Sequence, residues 1–354
     1  MKIVTIIGAR PQFVKAAVVS RAIVKFDDVE EIIVHTGQHF DANMSDVFFE
    51  EMSIPRPHYN LNINGLGHGA MTGQMLEKIE GVLLEEKPDW VLVYGDTNST
   101  IAGALAAKKL HIKVAHVEAG LRSFNMDMPE EINRILTDRI SDILFCPTST
   151  AVNNLRKEGY DNLDCEVVNV GDVMQDAAIF YAGKARKPTA ELSEKIALCT
   201  VHRAENTDSI ERLKSIFMAL EKISVDVPVV LPLHPRTKAK LQAIDYDFDK
   251  SKICFISPVG YLEMVWLLSN CRFVLTDSGG LQKEAYFFSK PCITMRDETE
   301  WVELLDNGFN RLAGASTDRI VKMASEINSQ SDLDFSLRLY GNGDAGNRII
   351  EKLR

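Results

Sequence analysis

The chain has 354 residues, a length that predicts two domains. Hydrophobic residues make up 45% and charged residues 25% of the sequence, which is the balance of a globular protein with sizeable cores. The net charge of −10 excludes nucleic acid as the main partner, because binding a phosphate backbone requires a basic surface. No apolar segment approaches the length of a membrane span, so we expect no membrane association.

The cysteines predict a reducing compartment. There are six, scattered without the paired spacing of a metal or redox site, and most lie in apolar runs such as residues 143–146. The first apolar run, residues 3–7, is too short for the core of a signal peptide. These features predict buried, reduced thiols, no bound metal and a cytoplasmic location.

Short apolar runs, each followed by a glycine-rich or polar turn and then a helical pattern, recur along the sequence. The candidate strands are residues 3–7, 31–35, 90–94, 113–116, 143–146 and 166–169 in the first half, and 196–200, 229–231, 252–255, 273–276 and 292–294 in the second. Continuous rather than alternating apolar strands indicate parallel sheets covered by helices on both faces. The sequence therefore predicts an α/β protein of two Rossmann-like, doubly wound domains.

The domain boundary is predicted near Gly171, where a turn opens a connecting helix. The N-terminal domain then spans residues 1–171 and the C-terminal domain residues 172–337. The last amphipathic stretch, about residues 338–354, is predicted to pack back on the first domain. Since ligands of open α/β sheets bind beyond the carboxyl ends of the strands, two domains whose strand ends face each other would form a deep cleft for the active site.

One glycine-containing turn is a candidate phosphate site. Residues 276–284 run from a strand end through Gly279 and Gly280 into a helix, whose first N–H groups suit a phosphate. Ser278 acting as a simple helix cap explains the same pattern equally well. The segment is neither a Walker A loop nor a dinucleotide-binding fingerprint, which disfavours a P-loop enzyme or a dehydrogenase.

Two cations follow the first strand. Arg10 and Lys15 would lie near its carboxyl end, beside Gly8 and with Pro11 in the first turn of a helix, where an anion could bind. The alternative, which is favoured for Lys15 taken alone, is an ordinary surface position.

Three carboxylates are candidates for acid–base chemistry. Asp96 and Glu118 follow neighbouring strands, and Glu131 lies beside Glu130 in the first turn of a predicted helix, where acids also simply offset the helix dipole. If the three converge on one site, they are expected to raise one another's pKa, as in many acid–base catalysts.

Two histidines follow strands of the second half. His202 could contact a phosphate or move a proton near neutral pH, with a structural role as the alternative. For His234, a capped or structural ring is the favoured interpretation.

Eight segments, taken in order, resemble the non-hydrolysing UDP-N-acetylglucosamine 2-epimerases. They are residues 8–12, 95–100, 116–122, 129–134, 200–206, 276–284, 295–300 and 340–343. The resemblance covers essentially the whole chain and implies the glycosyltransferase-B arrangement of two domains, a UDP-sugar substrate, no cofactor, and a homodimer. It also implies the reaction: a base removes the C2 proton, UDP leaves from C1, and UDP adds back after reprotonation on the other face.

The resemblance also implies roles for the candidate residues. Asp96, Glu118 and Glu131 would be the acid–base carboxylates, and His202 would assist the leaving diphosphate. The residues implied to hold the substrate are Arg10, Lys15, Arg134, Ser278, Gly279, Gly280 and, at the uridine ribose, Glu284.

Three segments differ from the best-known bacterial branch of this family: residues 38–45, 67–73 and 301–302. Residues 67–73 lack an Arg that is expected at an activator site of that branch. Here the chain is more similar to enzymes that epimerise UDP-2,3-diacetamido-2,3-dideoxyglucuronate for surface polysaccharides such as lipopolysaccharide. We therefore expect a substrate with a C6 carboxylate and no activation by a second UDP-sugar. Arg122 and Arg134 are candidates by position to pair with that carboxylate.

Two alternatives to an epimerase fit the same architecture. A glycosyltransferase would use the same grip on UDP but require an acceptor, and the three carboxylates favour epimerisation over it. A non-catalytic UDP-sugar sensor would retain residues 278–280 and tolerate loss of the carboxylates.

Overall fold

The computed structural model describes residues 1–38, 49, 53–329 and 333–354. They form two compact units, Met1–Ala177 together with Arg338–Arg354, and Ala178–Leu337. Each unit contains a parallel sheet with helices between its strands, so the predicted α/β class with two doubly wound domains is confirmed. Within the described ranges, no helix combines the length and apolar character that a membrane span requires.

The sheet of the first unit has the strand order β3-β2-β1-β4-β5-β6-β7. Its strands are β1 (Lys2–Ile7), β2 (Glu30–His35), β3 (Tyr59–Asn60), β4 (Trp90–Tyr94), β5 (Lys113–Val117), β6 (Ile143–Cys146) and β7 (Glu166–Asn169). Its helices are α1 (Arg10–Ile23), α2 (His68–Glu86), α3 (Asn98–Lys109), α4 (Pro129–Ile140), α5 (Ser149–Lys157) and the C-terminal α14 (Ala345–Leu353). A further helix, α6 (Val173–Ala182), crosses from the first unit to the second.

The sheet of the second unit has the strand order β10-β9-β8-β11-β12-β13. Its strands are β8 (Ile196–Thr200), β9 (Val229–Pro232), β10 (Cys254–Ile256), β11 (Cys271–Thr276), β12 (Cys292–Thr294) and β13 (Asn310–Leu312). Its helices are α7 (Ala204–Thr207), α8 (Ile210–Ile223), α9 (Pro235–Gln242), α10 (Tyr261–Asn270), α11 (Gly279–Phe287), α12 (Val302–Asp306) and α13 (Thr317–Ser329).

The order of the strands places the candidate site. In the first unit the order reverses between β1 and β4, where Val4 pairs with Val91, and in the second between β8 and β11, where Thr200 pairs with Thr276. The helices that follow these strand pairs leave on opposite faces, so a crevice opens at the carboxyl ends. The turns that follow β1, β4, β5, β8 and β11 therefore carry the polar residues.

The C-terminal helix packs on the first unit. Helix α14 contacts α1, and a Cβ on Gly346 would lie 2.8 Å from a methyl carbon of Val18, so only glycine permits this approach. The carboxylate of Asp176 accepts a hydrogen bond from the N–H of Gly346 at 2.9 Å. These contacts attach the end of the chain to α1 and to the start of the connecting helix.

Candidate active site

Gln12 joins the carboxyl ends of β1 and β4. Its buried side chain accepts hydrogen bonds from the N–H groups of Gly8 (2.8 Å) and Ala9 (2.9 Å) and donates to the carbonyl of Tyr94 (2.8 Å). A Cβ on Gly8 would lie 2.1 Å from the hydroxyl of Ser99, so this turn requires glycine. The turn before α1 is thereby held against the turn after β4.

Lys15 forms an ion pair with Glu118, and both side chains are largely buried. The expected surface position of Lys15 is therefore wrong. The side chain of its neighbour Arg10 lies outside the described residues. The ion pair lies directly over Gly95, because a Cβ there would be 3.3 Å from a carboxylate oxygen of Glu118 and 3.4 Å from the Lys15 ammonium.

The backbone of Glu118 is strained. Its φ of 72° lies in the left-handed region, which costs free energy for a residue other than glycine. Strain of this kind persists where the surrounding structure enforces it, and it often accompanies a functional role.

Arg134 bridges the other two predicted carboxylates. One amino group of its guanidinium lies 2.5 Å from Asp96 and the other 2.9 Å from Glu131. Glu131 is only 1% exposed and also accepts hydrogen bonds from the N–H and hydroxyl of Ser123 (2.9 and 3.0 Å) and from the N–H of Phe124 (2.9 Å). Asp96 and Glu131 thus share one cation.

The pKa of Glu131 is lowered, which contradicts the expectation that converging carboxylates raise it. Burial alone raises this pKa, but the hydrogen bonds from Ser123, Arg134 and Phe124 outweigh burial because they stabilise the charged form. Glu131 is therefore ionised at neutral pH. It can accept a proton or stabilise positive charge, but it carries no proton with which to act as a general acid.

Asn133 was not among the predicted site residues. Its amide donates a hydrogen bond to the carbonyl of Asp96 at 2.9 Å and therefore helps to fix that turn. Asn133 lies one turn of helix from the start of α4, beside Arg134, and both side chains reach the same turn after β4. A polar residue next to two predicted ones in the same first helical turns was the available signal.

Arg122 is not available to a substrate carboxylate. Its guanidinium is 1% exposed and donates to Glu158 through two nitrogens, to Asp138, and to the carbonyl of Leu121, all at 2.7–2.8 Å. The prediction that Arg122 lies where it could pair with a C6 carboxylate is therefore wrong. Arg134 remains as the candidate by position.

In the second unit, Asp277 holds the turn after β8. Its fully buried carboxylate accepts hydrogen bonds from the N–H groups of His202 (3.0 Å) and Arg203 (3.0 Å) and from the amide of Asn206 (3.2 Å). Asp277 follows β11, so its carboxylate joins the ends of the two central strands. Asp277 was not among the predicted site residues, because its backbone donors come from residues more than seventy positions earlier.

The start of α11 is free of a side-chain cap. Ser278 occupies the capping position, but its hydroxyl makes no hydrogen bond to the first turn, so the simple capping interpretation is not supported. A Cβ on Gly279 would lie 2.2 Å from a carboxylate oxygen of Glu300, and the indole N–H of Trp301 donates to the Gly279 carbonyl at 2.9 Å. Gly280 follows with no atom near its Cβ position, and Glu284 lies half-buried on the same helix.

The structure assigns the two histidines different environments, and it confirms the predicted structural role of His234. The Nδ1 of His234 accepts a hydrogen bond from the N–H of Arg236 at 3.2 Å, so this ring caps α9 and the structural interpretation is confirmed. Burial lowers the pKa of His202, and the opposing charge of Asp277, 3.5 Å from its Nδ1, does not offset that effect. His202 is therefore a neutral imidazole at neutral pH, able to donate one hydrogen bond.

Two of the three segments that differ from the best-known branch are described. Residues 67–73 form the start of α2, where His68 lies within hydrogen-bonding distance of Asn98. Trp301 is buried beside α11, and the Lys283 ammonium lies 4.2 Å from the centroid of its ring. Of the third segment, residues 39–45 lie outside the described residues.

In the first unit, carboxylates paired with cations follow β4 and β5, an arrangement typical of an α/β enzyme with acid–base chemistry. In the second unit, the uncapped start of α11 is of the kind that suits a phosphate group. A family model described as UDP-N-acetylglucosamine 2-epimerase matches residues 21–354. The chain belongs to this family, as the sequence predicted, and is an isomerase that epimerises a UDP-sugar. The glycosyltransferase and sensor alternatives are not favoured.

The similarity to known relatives extends over the full length of both chains. The chain is 59% identical to the UDP-2,3-diacetamido-2,3-dideoxy-D-glucuronate 2-epimerase of Pseudomonas aeruginosa, covering 100% of this chain and 99% of that protein. It is 45% identical to the UDP-N-acetylglucosamine 2-epimerase of Methanocaldococcus jannaschii, again covering 100% and 99%. The structure of that enzyme in complex with UDP-GlcNAc and UDP matches with a TM-score of 0.88 at 44% identity over 100% and 99% of the two chains.

A more distant structure shares the fold alone. The glycotransferase of kitacinnamycin is 10% identical and matches with a TM-score of 0.62 over 99% of this chain and 98% of its own.

Proposed function

We propose that the protein epimerises UDP-2,3-diacetamido-2,3-dideoxy-D-glucuronate at C2 to the manno isomer. The observation that carries this substrate is the 59% full-length identity to an enzyme named for it, against 45% to the M. jannaschii UDP-N-acetylglucosamine 2-epimerase. We further propose that no second UDP-sugar is needed as activator. The absence of an Arg from residues 67–73 supports this, since a neutral side chain does not replace a bidentate anion partner.

The acid–base chemistry is assigned to the carboxylates of the first unit. Asp96 and Glu118 end neighbouring strands and flank Gly95, a placement that suits proton exchange at the two faces of C2. Glu131, held ionised by four donors, acts as a carboxylate and orients Arg134 between itself and Asp96. Lys15, which pairs with Glu118, and Arg10 are proposed to bind the substrate anion.

The departing UDP is assigned to the second unit. The free N–H groups at the start of α11, with Ser278, Gly279 and Gly280, would bind the diphosphate. His202, as a neutral ring, would donate a hydrogen bond to it as the C1–O bond breaks. Glu284, half-buried on α11, would accept from the ribose hydroxyls.

We also propose the cellular location, the pathway and the oligomeric state of the enzyme. We place the enzyme in the cytoplasm, supported by six free cysteines, and in the supply of surface polysaccharide precursors such as those of lipopolysaccharide. We propose a homodimer, because Phe124, Met126, Ile132 and Leu136 expose 41–75% of their apolar surface close together in sequence. We propose that the boundary between the two domains lies near Gly171.

The test is incubation with each UDP-sugar in D₂O, without acceptor, followed by NMR. We expect the diacetamidouronate to become its manno isomer with deuterium at C2, because the proton is exchanged with solvent, and hyperbolic initial rates. The Asp96→Asn variant provides the control for non-enzymatic exchange. Turnover of UDP-N-acetylglucosamine alone, with sigmoidal rates, would contradict both the substrate and the lack of activation.

A further inference from the structure

His116 is the last but one residue of β5 and is completely buried, with a hydrogen-bond acceptor at each ring nitrogen. Nε2 lies 2.7 Å from the carbonyl oxygen of Gly95, and Nδ1 lies 2.7 Å from a carboxylate oxygen of Asp138. A backbone carbonyl can only accept, so Nε2 must carry a proton. The protonation of Nδ1 then depends on whether Asp138 is ionised.

Asp138 has the surroundings of a carboxylate. Its second oxygen accepts hydrogen bonds from the N–H of Gly120 (3.1 Å) and from Arg122 (2.7 Å). Two donors on this one oxygen, one of them a guanidinium, stabilise the charged form of Asp138 without any contribution from His116. An ionised Asp138 can only accept, so Nδ1 of His116 carries a proton as well.

We propose that His116 is a buried imidazolium and a positioning residue for the turns that follow β4 and β5. One N–H fixes the carbonyl of Gly95, the residue before Asp96. The φ of Gly95 is 64°, a conformation that favours glycine. The other N–H fixes Asp138, which in turn holds the N–H of Gly120, two residues after Glu118. This inference rests on the proposed catalytic roles of Asp96 and Glu118.

The charges around the ring support a cation. Asp138 of α4 contacts the ring, Arg122 from the loop after β5 pairs with Asp138, and Glu158, just after α5, pairs with Arg122. With an imidazolium these four groups sum to zero, whereas a neutral ring leaves an excess negative charge in a largely buried cluster, which is costly. The charge of Asp138 also acts on Cys146, Tyr160 and Cys165, and burial raises the pKa of each, so they stay neutral.

The charge state is measured by NMR on the wild-type protein labelled with ¹⁵N-histidine, which does not depend on activity. The spectrum of His116→Gln identifies which of the eight histidines is lost. We expect two ring N–H protons and the nitrogen shifts of an imidazolium at neutral pH, and their loss in Asp138→Asn. A neutral ring protonated at Nε2 alone, with the shared proton on Asp138, would overturn the proposal.

Positioning is tested by two substitutions of the same ring. The amide nitrogen of Gln in His116→Gln reaches the place of Nε2 and retains the bond to Gly95, whereas His116→Asn retains only the bond to Asp138. We expect His116→Asn to lower kcat on the order of 10²-fold with little change in KM, since a small displacement of catalytic groups has that effect. His116→Gln should recover a large part of that loss.

The control is Thr137→Val, which removes a buried hydroxyl without a hydrogen-bond partner among the described residues, next to Asp138 on α4. Its kcat should equal that of wild type. Equal losses in His116→Gln and His116→Asn, or losses confined to KM, would refute positioning. If the wild type turns over neither UDP-sugar, the proposed function fails, and the NMR result still decides the charge state.

Discussion

Glu131→Gln is the substitution whose consequences the structure defines most fully. One oxygen of Glu131 accepts three hydrogen bonds, from the N–H and hydroxyl of Ser123 and from Arg134, and the other accepts one from the N–H of Phe124. In the variant, the amide oxygen takes the place with three donors. The amide NH₂ then faces the N–H of Phe124, donor against donor.

The expected loss of stability follows from that geometry. One buried donor loses its acceptor, and the remaining three bonds lose the charge that strengthened them. An unsatisfied buried donor costs about 1–3 kcal/mol, so we expect a decrease of about that size in the free energy of unfolding. Glu130→Gln is the matched control, because Glu130 is the exposed neighbour in the same helical turn and should change stability by less than about 0.5 kcal/mol.

The loss should depend on pH. The pKa of Glu131 is lowered in the folded protein from its ordinary value of 4.5, so its stabilising contribution is complete above 4.5 and disappears as the pH falls through the folded value. Urea unfolding of wild type and Glu131→Gln should therefore show the largest difference near neutral pH. The difference should shrink in acid.

Turnover of Glu131→Gln should fall by about 10²–10⁴-fold if the carboxylate takes part in proton transfer. Affinity for UDP, measured by calorimetry, should change much less, because Glu131 itself is not among the groups proposed to hold UDP. Equal losses of turnover and UDP affinity would refute the catalytic assignment. A stability difference that persists unchanged into acid would refute the account of its ionisation.

Substitutions of three aspartates test other contacts of the site and the fold. Asp96→Asn should lower turnover by about 10²–10⁴-fold with UDP affinity retained in calorimetry, since a proton-transfer group is removed without touching the UDP site. Asp277→Asn should lower the free energy of unfolding by about 1–3 kcal/mol and weaken UDP binding, because the amide NH₂ replaces the oxygen that faces the N–H of His202 and the remaining bonds lose the charge that strengthened them. Burial raises the pKa of Asp176 from 3.8 to about 6. The wild type should therefore lose stability as the pH rises from 3.8 through about 6. Urea unfolding of Asp176→Asn should lack that loss, and the variant should equal or exceed the stability of the wild type at neutral pH.

The order of elements could be read from the sequence because the strands are buried on both faces. Continuous apolar runs such as residues 90–94 and 143–146 coincide with β4 and β6, and the same runs locate the turns with polar residues. The pattern missed β3 and β13, which lie at sheet edges: Tyr59–Asn60 and Asn310–Leu312 each contain polar residues and show no continuous apolar run. The ordered motifs were enough to predict the family.

The partners of the polar residues were decided by the tertiary structure. The sequence placed Asp96, Glu118 and Glu131 after strands or at a helix start, but the cations between them come from α1 and α4. Hydrogen bonds from Ser123, Arg134 and Phe124 reverse the expected direction of the pKa shift at Glu131, and Arg122 is used entirely within a buried cluster. Local patterns determine which residues reach the end of a sheet, whereas the charge state of each depends on neighbours that are distant in sequence and meet only when the strands pair.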